Sequence, residues 1–159
     1  MDNKENLKEF MLKEVEIIQD IIKRMAHNSF LIKGWAITLV VGILLLKGPG
    51  TYQIFLAFIP LIAFWYLDAY FLRQERLFRK LYDWVVTHRL HTDESLFDMS
   101  TGSRSGEDFE KKVDSIFRTM FCNTIDEKTN TKKTNTLRWF YGSLIIVVIL
   151  VIFWSLIIN

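Results

Sequence analysis

Two kinds of apolar pattern alternate along the chain. Between residues 4 and 26, Leu7, Met11, Val15, Ile18, Ile22 and Met25 recur at steps of four, four, three, four and three, which lays one stripe along a helix. Ile17 and Ile21 widen the stripe. The opposite face mixes Lys with Glu and Asp, so the helix is expected to pack on protein rather than on a lipid surface. The windows 29–46, 52–72 and 139–158 are of the second kind: nearly continuous apolar runs, each close to the roughly 20 residues that cross a hydrocarbon core. The third contains no charge. Past residue 72 nothing interrupts the helical period: Phe71, Leu77, Phe78, Leu81, Tyr82 and Val85 fall on one side, and Arg73, Arg76, Lys80 and Asp83 on the other. The second window is therefore predicted to run on as one long helix. Phe109, Val113, Ile116, Phe117, Met120 and Phe121 predict a further amphipathic helix over 107–125. "TDESLFDMSTGSRSG" before it has loop composition, and "EKTNTKKTNT", residues 127–136, is a polar linker or a fraying helix end.

These elements predict an all-α membrane protein with three transmembrane helices and amphipathic cytoplasmic helices. Its parts are a cytoplasmic helix (1–28), a transmembrane hairpin (spans 29–46 and 52–72), a cytoplasmic helical module (73–138) and a third span (139–158). Composition agrees, since half the chain is apolar and 14% aromatic, more than a soluble core of 159 residues needs. The first 28 residues hold six acids, unlike the basic start of a signal peptide, and are expected to be retained. Lys and Arg set the orientation: one lies in "KGPGTYQ" between the first two windows, five in the N-terminal segment and thirteen in 73–138. The positive-inside rule puts the N-terminus and 73–138 in the cytoplasm and the C-terminus outside. Eleven acids accompany those thirteen bases and net charge is only +2, which excludes a histone-like polycation.

Charge at membrane depth is the first candidate chemistry. Lys33 lies 13 residues before Leu46 and Asp68 lies 16 residues after Tyr52, so their depths differ by about one helical turn at about 1.5 Å per residue. An unpaired charge there costs several kcal/mol, so the two are expected to pair, as a structural clamp or as a conduction element. Gly34, Thr38 and Gly42 form a small-xxx-small face, for packing within one subunit, for a subunit interface or for a pore lining. Pro60, in the middle of the second window, is expected to kink that helix. Oligomerisation would repeat Arg76, Arg79, Lys80, Arg89, Arg104, Lys111, Lys112 and Arg118 about an axis and create a site for a polyanion. Membrane lipid headgroups are the alternative partner for the cluster at 73–80.

Enzyme chemistry is not in evidence. The chain has no glycine-rich phosphate loop, CxxC, HExxH or Gly-x-Ser-x-Gly, and no cofactor is implied. In "THRLH", His88 and His91 supply two metal ligands with no third at a recognisable spacing, and Cys122 has no evident catalytic partner.

The run "LDAYFLRQERLFRKLYD", residues 67–83, followed by "FDMST" and by "IFRTMFCNT" ahead of the last span, resembles a group of small three-span bacterial membrane proteins. Their layout is similar to the channel- or pore-forming membrane effectors of antiphage defence, with the Hailong-type channel effector as the nearest analogy. The resemblance implies residence in the bacterial inner membrane and a homo-oligomer, a tetramer by analogy. It also implies a channel gated by a nucleotide or oligonucleotide from a partner nucleotidyltransferase. The competing expectation is a non-conducting membrane anchor that recruits a cytoplasmic partner.

Overall fold

The computed structural model describes residues 2–46, 55–91, 96–104, 107–108, 115–121, 124–125, 132–133 and 136–158. Helices dominate: α1 (Asp2–Leu45), α2 (Phe58–His88), α3 (Ile116–Phe121) and α4 (Thr136–Ile158). Two minimal antiparallel ladders complete the described elements. In one, β1 (Ser103–Arg104) pairs with β2 (Glu107–Asp108); in the other, β3 (Thr124–Ile125) pairs with β4 (Lys132–Lys133).

The stripe helix and the first apolar window, expected as separate elements, form one helix of 44 residues. Its junction, Ala26-His27-Asn28, contains neither Gly nor Pro, so nothing there stops helix propagation. The long second helix is also continuous, over 31 residues. Pro60 lies in the first turn of α2, and three residues before it Ala57 is a turn residue between helical Leu56 and Phe58. A proline clashes with the carbonyl four residues back and lacks an N–H, which interrupts the helical ladder at such a point. Of the helix expected over 107–125, the described residues Ile116–Phe121 are helical, while Glu107 and Asp108 pair as a strand with Ser103 and Arg104, and Thr124 and Ile125 with Lys132 and Lys133. Phe109 and Val113 lie outside the described residues.

Two helices, α1 over Glu5–Leu45 and α4 over Thr136–Ile157, are long and apolar enough to cross a membrane. The expected second span begins among residues outside those described, and the opening of α2 already includes Asp68, Arg73 and Glu75.

The chain divides into two compact units. The first comprises Met1–His27 and Phe71–Asp114. Its core is Ile18 from α1 with Leu77, Leu81, Trp84 and Val85 from α2, flanked by Met11, Val15, Ile22, Phe78, Tyr82 and Met99. The N-terminal stripe thus meets the apolar side of α2. The second unit comprises Asn28–Tyr70 and Ser115–Asn159. Within it Phe121 of α3 packs its ring 4.9 Å from that of Trp65, and α3 also contacts α4. Inside this unit lie Ile32, Ala36 and Val40 of α1, Leu61, Trp65 and Ala69 of α2, and Leu137, Tyr141 and Val148 of α4. Its outside is apolar too, with Trp35, Ile59, Ile62, Ile146, Phe153 and Trp154 among the exposed side chains.

Candidate functional site

In the second unit the interior, not the surface, holds the polar chemistry. Ser29 and Lys33 stand one turn apart on α1, so both project from the same helix face. Lys33 Nζ lies 2.6 Å from Asp68 Oδ2 and donates to Ser29 Oγ at 2.7 Å. Ser29 Oγ donates in turn to Asp68 Oδ1. From α4, the Tyr141 hydroxyl lies 3.2 Å from Asp68 Oδ2 and 3.2 Å from the carbonyl oxygen of Phe64. Asp68 is fully buried, whereas the Lys33 side chain keeps 26% of its exposure. One carboxylate therefore gathers an ammonium and two hydroxyls from the two other helices. Trp65, one turn before Asp68, stacks on the Tyr141 ring at 5.9 Å and holds it in place.

A buried charge tolerates such a setting only when paired and hydrogen-bonded, and Asp68 is both. The arrangement joins three helices. Tyr141→Phe keeps the stacked ring and removes one donor. Stability should fall by about 2 kcal/mol, the usual range for a hydrogen bond to a charged group, measured by unfolding in detergent micelles.

The first unit contains a second buried ionic site that the sequence reading missed. Glu14 accepts from Arg89 Nε and from Arg89 Nη2, the latter at 2.7 Å, and both side chains are almost fully buried. Glu14 Oε1 also accepts from the backbone N–H of Phe97 at 2.7 Å. Phe97 has φ of 57°, the left-handed region that bulky residues rarely occupy, and its ring meets Phe10 edge-on at 6.1 Å. The signal was present: Glu14 stands three residues after Met11 and four before Ile18, on the apolar stripe itself. Arg89 continues α2's buried face four residues past Val85.

Arg89 is accordingly removed from the expected anion-binding set: its guanidinium is buried, neutralised by Glu14 and placed 5.5 Å over the Trp84 ring. Arg79 is exposed and paired with Glu75 at 2.6 Å. Arg76 and Lys80 are half-buried on α2, and Arg118 is exposed on α3 of the second unit. Arg104 is in β1, its side chain not described, while Lys111, Lys112 and Cys122 lie outside the described residues. His88 ends α2 with its ring stacked on Trp84 at 5.3 Å. Among the described residues no group of His, Cys, Asp or Glu is arranged to hold a metal ion.

Gly34, Thr38 and Gly42 point away from the buried side of α1. Ile32, Ala36 and Val40 form that side, and an offset of two residues turns a helix by about 200°. A Cβ added at Gly34 or Gly42 would meet nothing within 4 Å. The Thr38 hydroxyl donates to the Gly34 carbonyl at 3.0 Å, so it needs no other partner. No family model, curated protein or solved structure matches the chain.

Proposed function

We propose that the chain is an integral membrane protein of three spans whose copies assemble through the α1 face of Gly34, Thr38 and Gly42 into an ion-conducting pore. The uncovered small-residue face carries this reading. Between helices in lipid, small residues matter because they let backbones approach, and among the described residues no segment lies within 4 Å of a Cβ added at Gly34 or Gly42. The apolar exterior of the second unit supports its placement in lipid, with its polar groups gathered inside. The orientation follows the Lys and Arg distribution, with the first unit on the cytoplasmic side of a bacterial inner membrane. With Arg89 engaged by Glu14, a nucleotide ligand has lost one of its expected contacts, and the proposal is confined to assembly and conduction.

Gly42→Leu tests it selectively, because the single chain has room for the new side chain and its fold should survive. Purified protein in mild detergent should have the mass of an oligomer, and Gly42→Leu should shift it to the monomer while leaving the helical circular dichroism unchanged. Liposomes with the wild-type protein should pass ions and those with Gly42→Leu should not. A wild-type monomer that never conducts would sink the pore and favour the anchoring role instead.

A further inference from the structure

A second surface belongs to the first unit alone. There α1 and α2 run antiparallel: Glu14 meets Arg89, and Ile18 and Ile22 then follow α1 upward as Val85, Leu81 and Phe78 follow α2 downward. At about 100° per residue, Arg24 projects about 120° round α1 from Ile18, while Arg73, Arg76 and Lys80 project about 80 to 140° round α2 from its buried face. The angular sense is the same on both helices. On an antiparallel pair, equal senses face the same side.

Their heights fall within about two helical turns of one another. Counted from the Glu14–Arg89 contact at about 1.5 Å per residue, Arg24 stands about 15 Å along α1, and Lys80, Arg76 and Arg73 stand about 14, 20 and 24 Å along α2. Ile17 and Ile21 share this flank on α1, and two acids border it: Asp20, one turn before Arg24 and engaged by Lys23 at 3.3 Å, and Asp83, three residues after Lys80. Glu75 lies on the other flank of α2, paired with Arg79 at 2.6 Å. Arg24 and Arg73 make no ion pair or hydrogen bond among the described residues, although Arg73 is half-buried.

We infer that this flank seats the headgroups of anionic phospholipids in the cytoplasmic leaflet, with Arg24 and Arg73 as the phosphate-binding pair and Arg76 and Lys80 on the same face. The inference rests on the membrane reading above and adds a partner to it. The occupant follows from chemistry and position. Guanidinium groups bind phosphate oxygens in a bidentate way, and Arg24 stands six residues before exposed Phe30 on α1 while Arg73 stands three after exposed Tyr70 on α2. Bases that adjoin lipid-facing side chains on their own helices meet headgroups first.

The test uses the full chain in neutral detergent, with bound lipid counted by native mass spectrometry. Wild type should retain phosphatidylglycerol over phosphatidylcholine. Arg24→Gln with Arg73→Gln should weaken phosphatidylglycerol binding about fivefold for each guanidinium removed. Lys23→Gln with Arg79→Gln, the same change of charge away from this flank, should leave it as in wild type. Equal losses in the two double variants, or no preference in wild type, would overturn the inference; so would inorganic pyrophosphate competing at a concentration equal to the lipid's, since the flank would then take a soluble anion. The mass separates the two proposals. A monomer that prefers phosphatidylglycerol defeats the assembly reading alone, and an oligomer without preference defeats this one alone.

Discussion

Glu14→Leu should lower the thermal midpoint of the detergent-solubilised protein by about 10 °C, the shift corresponding to the several kcal/mol that follow when one partner of a buried ion pair is removed. The Arg89 guanidinium, fully buried and 5.5 Å over the Trp84 ring, would be left without its counter-charge. Arg89→Met should cost a similar amount, leaving the carboxylate with the Phe97 N–H alone. The double variant Glu14→Leu with Arg89→Met should recover most of the loss, because apolar groups of similar volume satisfy the same space. Full recovery is not expected: Phe97 N–H loses its acceptor, at about 1 to 3 kcal/mol. Midpoints from circular dichroism of the four proteins decide the matter, and single effects that simply add would refute the coupling.

Lys33→Met should be the most damaging single change in the second unit. Asp68 would keep its two hydroxyl donors but lose the cation, and a carboxylate with no exposure has no water to replace it. A loss of about 3 to 5 kcal/mol is expected. Asp68→Asn should cost less, since the Lys33 ammonium is partly exposed and can swing outward along its flexible stem. Asp68→Asn with Lys33→Met should recover part of the loss, because an amide still accepts from Ser29 and Tyr141. Unfolding in a denaturing detergent titration measures all three; strict additivity would place the energetic partner of Asp68 elsewhere.

What could be read beforehand depends on whether the residue types announce the geometry. The stripe Met11, Val15, Ile18, Ile22 was legible because period and polarity agree, and these residues flank or form the core of the first unit. Lys33 and Asp68 stood out because charges in apolar windows are few, and counting residues brought them to nearly one depth. Glu14 and Arg89 were hidden by their surroundings: each is one charge among many in a polar stretch, and only their phase with the stripe marks them as inward. At residues 107–108 helical spacing was no guide, because the pairing of Glu107 and Asp108 with residues 103–104 depends on a reversal of the chain that periodicity does not encode.

The order in which the Asp68 contacts are synthesised bears on how the chain enters a bilayer. Ser29, Lys33 and Asp68 all leave the ribosome within the first 68 residues, and Tyr141 follows 73 residues later. The carboxylate can therefore be neutralised inside the newborn hairpin of α1 and α2, before any part of α4 exists. Under the proposed three-span reading, that hairpin would reach the insertion machinery with its salt bridge already closed, and its two charges would enter lipid as one neutral group.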